Sequence, residues 1–384
     1  MKVALSTMGK FHYFALARQL EQRNALKVIF TGYPNFKLKD EGLPQEKIHS
    51  FPWFRILHVL SFRFNQPWLI RESEWLSLHQ FDTYVANNLP DCDAFCAVSG
   101  GGLNTGKKAK SRGYIYICDR ISTHIRYQDA ILREEYQSQG KTFAGIDPRV
   151  MAQEEAEYEL ADAIVLPSSF AKRSFIEMCV PEEKLRLMPL GVELEKFYPV
   201  EQPDNDFFEV LFVGNASIRK GITYLLQAFY LLQHPKKRLT IVGTIQPELA
   251  KIINQAASDQ NIITTGHMPH SEVKKIMSRT HVMVLPSIED GFGYVQAEAM
   301  ACGCPVIATT NTGAADLFTD AVEGFIVPIR NSDAIAERMQ LLADRPELQK
   351  QMSKASIERV KKIGGWNSYG AAMFDLLSNN LTLL

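Results

Sequence analysis

Residues 286–313 read PSIEDGFGYVQAEAMACGCPVIATTNTG. The run ahead of them, His281 to Leu285, is short and β-branched enough to be a buried strand, and Pro305 to Ala308 is another. Gly291 and Gly293 allow the loop Ile288–Gly293 backbone shapes and close approaches that a side chain forbids. From about Tyr294 to Cys302, Ala297, Glu298, Ala299, Met300 and Ala301 are good helix formers, and Gly303 is placed to end the helix. Strand, loop and helix in this order turn backbone N–H groups and the positive end of a helix dipole into the crevice above a parallel sheet, where an anion belongs. Two carboxylates frame that place. Asp290 reads equally well as a solvated loop acid, whereas Glu298 sits on so apolar a helix that burying it calls for hydroxyls or a cation as partner.

The pattern Asp-Gly-Phe-Gly-x4-Glu-Ala-Met-Ala-x-Gly-x-Pro-Val resembles the carboxylate motif of the retaining family 4 glycosyltransferases, in which two glutamates are separated by seven residues. Asp290 stands at the first position and Glu298 at the second. The resemblance implies that Glu298 binds ribose hydroxyls and Asp290 touches hydroxyls of the transferred sugar. It also implies that the backbone of Gly291, Phe292, Gly293 and Tyr294 lines sugar and phosphate. At 1.5 Å per helical residue the two carboxylates are at most ~12 Å apart, roughly the reach from sugar to ribose in a nucleotide diphosphate sugar. Glu289 leaves the spacing one residue too long and is set aside.

With 384 residues the chain is long for one core and suits two domains. Its net charge of −1 argues against a duplex nucleic-acid binder, which needs a basic face. Cys92, Cys96, Cys118, Cys179, Cys302 and Cys304 form neither a CxxC pair nor a metal array with histidine, and read as reduced thiols of a cytoplasmic protein. The N-terminal MKVALSTMGK lacks a signal-peptide pattern, and no apolar run approaches membrane-spanning length.

The chain opens with a strand, Val3 to Thr7, a loop containing Gly9, and an apolar helical stripe at Tyr13, Leu16, Ala17 and Leu20. Gly9 is a simple turn on its own; the family likeness places it against the donor diphosphate or the acceptor. Residues 51–81 interleave Phe and Trp with Arg55, Arg63 and Arg71. That composition fits a surface lying on a membrane or binding a lipid-linked acceptor, but Glu72 and Glu74 break the basic face and favour burial in the domain core. Asp91-Cys92-Asp93 reads as a turn rather than a metal-binding pair. Gly100, Gly101, Gly102 and Gly106 do not make a dinucleotide fingerprint.

Asp119 to Tyr127 crowds charged and hydrogen-bonding groups at the carboxyl end of a buried strand, where open α/β sheets bind ligands. In the family a histidine after this strand lies against the sugar, and His124 is the match. Pro189 to Pro199 resembles the interdomain hinge. The second half restarts with strand Glu209 to Val213 and a loop from Gly214 through Asn215 to Arg219, Lys220 and Gly221, where two cations entering a helix suit a pyrophosphate. The family likeness gives Lys220 the diphosphate, with Arg219 in place of the arginine that Asn215 replaces. The loop at His267 and Met268 would receive the nucleobase.

The expected fold is α/β of the GT-B kind, two Rossmann-like doubly wound parallel sheets facing a cleft. The first domain spans 1–190, the linker 191–206 and the nucleotide-sugar domain 207–365, with helix 366–384 crossing back. The expected activity is metal-independent, retaining transfer of a hexose from a nucleotide diphosphate sugar, without cofactor, to a glycan, lipid or small-molecule acceptor. His124, Arg219, Lys220 and Asp290 would carry catalysis. The alternatives are a non-catalytic nucleotide-sugar binder and a GT-B enzyme of another type, an epimerase or inverting transferase. The expected location is cytoplasmic, free or peripheral on the cytoplasmic membrane face.

Overall fold

The strands of the chain are β1 Val3–Thr7, β2 Leu26–Thr31, β3 Ile48–Ser50, β4 Ala94–Val98, β5 Ile115–Asp119, β6 Ala163–Leu166, β7 Leu185–Leu187, β8 Phe208–Val213, β9 Lys237–Val242, β10 Ile262–Gly266, β11 Val282–Leu285, β12 Val306–Thr309 and β13 Gly324–Val327. They come from a computed structural model that describes residues 1–10, 12–64, 66–204 and 206–381. Asn65 of the aromatic stretch, Asn205 of the expected linker and 382–384 of the expected last helix lie outside the described residues.

β1 to β7 make one sheet, ordered β3-β2-β1-β4-β5-β6-β7, and β8 to β13 make another, ordered β10-β9-β8-β11-β12-β13. Every neighbouring pair is parallel. Both are doubly wound sheets, so the α/β expectation holds. Parallel sheets are covered by helices on both faces, which is why their strands are apolar almost throughout. β1, β5 and β11 are buried at every residue. The first sheet packs Leu5 and Ile117 on one face and Phe95 and Tyr116 on the other. In the second sheet the corresponding faces carry Phe212 and Ile241, then Leu211 and Met283.

In each sheet the strand order reverses once, between β1 and β4 and between β8 and β11. Ligands of doubly wound sheets bind at the carboxyl ends of the strands beside that reversal. Asp91 and Asp93 lie at the other end. The Asp93 carboxylate accepts from the Lys2 N–H at 2.5 Å at the start of β1, as a turn there would.

The aromatic stretch folds as helix Trp53–Ser61, a 3-10 turn Phe62–Phe64 and helix Pro67–Asn88. The core reading of this stretch is corrected in part. Phe81 is buried and Phe51, Trp75 and Leu78 pack against the first sheet's core. Trp53, Phe62, Phe64 and Trp68 instead stand outward, each more than half exposed.

The chain crosses between the sheets twice, near Gly191 and again at Gly364–Trp366. The crossings touch: the Val192 N–H donates to the Gly364 carbonyl at 3.4 Å. A Cβ on Gly191 would stand 2.7 Å from the Gly365 carbonyl carbon, so only glycine fits. Tyr294 closes the junction, donating its hydroxyl to the Gly191 carbonyl at 2.9 Å and laying its ring 6.1 Å from that of Trp366. Helix Trp366–Leu381 then returns to the first sheet, where Tyr369, Met373 and Leu377 are buried with Tyr13 and Leu16. Gly191→Ala should therefore lower stability by about 1–3 kcal/mol through overpacking. An unchanged thermal midpoint would mean that the two crossings part in solution.

Candidate active site

The loops that meet at the second reversal are 214–221, after β8, and 286–294, after β11. Gly221 adopts φ +64°, and a Cβ there would come within 2.0 Å of the Pro286 carbonyl oxygen, so glycine lets the loops touch. The Ile288 N–H donates to the Arg219 carbonyl at 2.9 Å, and the two loops run on together. The contact sets two consecutive cations against two consecutive carboxylates. Arg219 Nε donates to Glu289 Oε2 at 2.8 Å, and Lys220 Nζ pairs with Asp290 Oδ2.

Asp290 also shapes its own loop. Its Oδ1 accepts from the Gly293 N–H at 3.0 Å, and Gly293 takes φ +71°. Gly291 is pressed by the first domain: a Cβ would lie 2.3 Å from the Ile121 carbonyl oxygen, and the Gly291 carbonyl accepts from Ser168 Oγ at 2.5 Å. Phe292 is buried beneath the loop, its carbonyl held by the Gly313 N–H at 3.0 Å.

Glu289 is fully buried and joins the domains. It accepts from Ser122 Oγ at 2.7 Å, Thr123 Oγ1 at 2.8 Å and Gln128 Nε2 at 2.8 Å in the first domain, as well as from Arg219 in the second. Burial pushes its pKa up, but the Arg219 charge and the bonds from Ser122, Gln128 and Thr123 outweigh that and bring it down to about 2. The chain of bonds continues inward. Gln128 Oε1 accepts from Arg120 Nη2 at 2.9 Å, and Arg120 Nη1 reaches Glu154 at 2.9 Å. Glu154 lies on helix Pro148–Leu160, where Glu157 accepts from the N–H groups of Gly100 and Gly102 at 2.8 and 2.9 Å, and burial raises its pKa to about 8.

A second bridge runs along helix Ile125–Ser138. The buried carboxylate of Glu135 accepts from Tyr224 at 2.9 Å and from Arg330 Nε at 2.6 Å. These contacts turn the carboxyl ends of the two sheets towards each other.

The remaining expected residues fall in different places. Glu298 is half-buried, and among the described residues no side chain donates a hydrogen bond to it. Burial, then repulsion from Glu193, pushes its pKa up to about 8 against a smaller pull from Lys196. Gly9 lies buried at the carboxyl end of β1, its carbonyl accepting from Thr7 Oγ1 at 3.0 Å. Gly214 takes φ +147° and Asn215 is exposed, its Oδ1 accepting from Gln246 at 2.8 Å. His267 is exposed and Met268 half-buried at the end of β10.

His124, expected at the sugar with Asp290, stands at the start of helix Ile125–Ser138 beside Thr123, which bonds Glu289. His124 Nδ1 accepts from the Arg126 N–H at 3.2 Å, capping helix Ile125–Ser138. The ring packs within its own domain, 5.1 Å from that of Tyr158 and 5.0 Å from that of Phe175. Burial lowers its pKa to about 4, so it is neutral near pH 7. Sequence reasoning missed Glu289, Gln128 and Arg120. The available signal was two adjacent acids and two adjacent bases on loops that a doubly wound order makes neighbours.

Two facing doubly wound sheets with a charged site at the second reversal define the GT-B class. Residues 195–359 match the family model of glycosyl transferases group 1. The whole chain superposes on sucrose-phosphate synthase from Thermosynechococcus elongatus with a TM-score of 0.74 at 20% identity, covering 100% of both chains. It also superposes on Anabaena Alr3699/HepE in complex with UDP, with a TM-score of 0.72 at 16% identity, covering 99% of this chain and 100% of that one. In sequence it is 27% identical over 194 residues to an uncharacterized glycosyltransferase of Methanocaldococcus jannaschii, covering 47% of this chain and 50% of the relative. It is 26% identical over 248 residues to the D-inositol 3-phosphate glycosyltransferase of Pseudarthrobacter chlorophenolicus, covering 59% of each. The chain thus spans about half the length of the curated relatives it matches.

Removing the Glu289 carboxylate strands Arg219, Ser122, Thr123 and Gln128 in a buried site. Glu289→Leu should cost about 3–5 kcal/mol. Because the folded pKa is lowered, the stability Glu289 contributes is present above the ordinary glutamate range and is lost as pH falls through about 2. An acid titration followed by small-angle scattering should see the domains part in the native chain. The same acid transition in Glu289→Leu would show that another group holds them.

Proposed function

We propose that this chain is a glycosyltransferase that moves a hexose from a nucleotide diphosphate sugar to a glycan, lipid or small-molecule acceptor, with retention at the anomeric carbon. The observation that carries the reading is the paired arrangement at the second reversal, where Glu289 holds Arg219 and Asp290 holds Lys220. Each carboxylate fixes a cation without using all its donors, since an ammonium has three N–H groups and a guanidinium five. The free donors meet the diphosphate, whose charge grows as the bond to the sugar breaks. The UDP in the Anabaena structure and the group 1 match over 195–359 support the donor class.

Glu298, a half-buried carboxylate near Glu193 and Lys196, accepts hydrogen bonds from the ribose hydroxyls in this reading. His267 and Met268 border the base, Asp290 reaches the sugar hydroxyls beside Lys220, and Gly9 and Gly214 leave room for the diphosphate. The bond from the anomeric carbon to the phosphate oxygen breaks with its electron pair leaving on the phosphate. The acceptor oxygen bonds to the same face and its proton passes to the leaving phosphate. His124, a neutral helix cap, serves here only to hold the loop that carries Thr123. No metal takes part in this scheme, and turnover should survive EDTA.

Thermal shift against UDP-, GDP- and ADP-sugars tests the donor, because a ligand at 100 times its dissociation constant stabilises by ~2.7 kcal/mol. No shift with any of them, together with no donor hydrolysis or transfer, would overturn the reading. Anomeric configuration of the product, read by NMR, decides retention. Lys220→Ala should lower kcat about 100- to 1000-fold with a smaller change in KM, as loss of charge stabilisation in the transition state requires.

Glu298 adds a pH signature. Its raised folded pKa means that the stability it contributes is present below the ordinary glutamate range and is lost as pH rises through about 8. Ribose hydroxyls bind the charged form, so affinity for the nucleotide sugar should rise with pH and level off above about 8. Glu298→Gln should flatten that profile and weaken binding. A profile identical in the variant would remove Glu298 from the ribose.

A further inference from the structure

The helical pair Trp53–Ser61 and Pro67–Asn88, joined by the turn Phe62–Phe64, is turned the wrong way round for water. Its second half packs Trp75, Leu78 and Phe81 on the core, but where the two helices meet the contacts are polar: Ser73 Oγ donates to Ser61 Oγ at 3.0 Å, and His58 Nδ1 lies 3.0 Å from Ser73 Oγ. Its outward face is apolar, with Trp53, Leu57, Phe62, Phe64 and Trp68 all more than half exposed. Hydrophobic side chains scattered singly over a surface need no explanation, but a concentration of aromatic ones within sixteen residues does.

Charge says what covers this face. From Ile48 to Arg71 the chain contains Arg55, Arg63 and Arg71 and not one Asp or Glu. Arg71 pairs with Asp147 at 3.5 Å and Arg55 turns to the Met8 carbonyl, which leaves Arg63 as the exposed cation among the aromatic rings; the exposed acids Glu72, paired with Arg149 at 2.7 Å, and Glu74 lie beyond them. Trp and Phe around Arg63, on helices that lie along a surface with no acid between Ile48 and Arg71, match the interface of an anionic bilayer, where aromatic rings settle at headgroup depth and a guanidinium meets lipid phosphate.

The patch is also fixed relative to the site. Phe51 stacks on Tyr84 with ring centroids 4.3 Å apart. Arg55 reaches over Tyr33 and donates to the Met8 carbonyl at 3.2 Å, in the loop after β1 that carries Gly9. A bilayer on this face would lie beside the carboxyl end of the first sheet. We propose that the outward face of residues 53–68 docks the first domain on an anionic lipid bilayer and brings lipid-borne acceptors to the loop after β1. The second half of this proposal rests on the transferase reading; the docking does not.

The test is flotation of the full chain with vesicles, without donor or acceptor. Vesicles of phosphatidylglycerol and phosphatidylcholine in equal parts should carry the protein upward at low salt, and pure phosphatidylcholine vesicles should carry at least tenfold less. The triple variant Phe62→Ser, Phe64→Ser, Trp68→Ser should lose binding at least tenfold while keeping its thermal midpoint and its shift with nucleotide sugar, since these side chains support no core. Arg63→Glu should weaken binding to the anionic vesicles alone. Docking is overturned if the native chain stays with the soluble fraction at low salt, or if the triple variant floats equally well. It is also overturned if sedimentation velocity shows a dimer that the triple variant disperses, because a second copy then covers the face. If flotation succeeds while no nucleotide sugar shifts the melting point, the transferase reading fails and the docking stands.

Discussion

One buried carboxylate sets the relation between the two halves of this molecule. Glu289 has no contact with water, yet stays charged because a guanidinium, two hydroxyls and an amide converge on it from both domains. An isolated carboxylate in that position would be too costly to keep, so the surrounding groups must hold their places together or not at all. The rest of the interface can be understood around that requirement. Gly291 lets the Ile121–Ser122 backbone come close enough, Gln128 passes the constraint to Arg120, and Arg120 passes it to Glu154.

Most of the fold was legible in the sequence because parallel strands covered on both faces leave a simple mark. Short β-branched runs such as Val282–Leu285 and Val306–Thr309, separated by helical stripes, admit few other arrangements. The donor-side loops were legible for a similar reason, since glycines at 221, 291 and 293 occupy positions where backbone geometry or close approach demands them. What could not be read was pairing across the gap between domains. Glu289 and Ser122 are 167 positions apart, and no local pattern says that a carboxylate will find its partners at that distance. Spacing alone set Glu289 aside, and packing restored it.

His124 shows how a residue read for chemistry can also fill a local structural role. The residue type suited chemistry and its place after β5 suited a ligand, but the backbone N–H of Arg126 needed an acceptor at a helix start, and the ring met Tyr158 and Phe175. A histidine so placed answers a local need of its own helix. The aromatic stretch misled in the same direction, because composition does not reveal which side of a helix the polar groups take. Only the structure shows Phe81 buried while Trp53, Phe62, Phe64 and Trp68 point away, with serine and histidine contacts between the two helices.

The return of helix Trp366–Leu381 to the first sheet has a consequence for biogenesis. In sequence, the second domain is an insertion within the first, whose core is completed by Tyr369, Met373 and Leu377. The inserted domain is contiguous and leaves the ribosome ahead of these residues, so it can close its core during synthesis. The amino-terminal sheet, although made first, must wait for the last helix with the surface around Tyr13 and Leu16 uncovered. The amino-terminal sheet is thus the later of the two to finish folding, and until that helix arrives it most needs shelter from other chains.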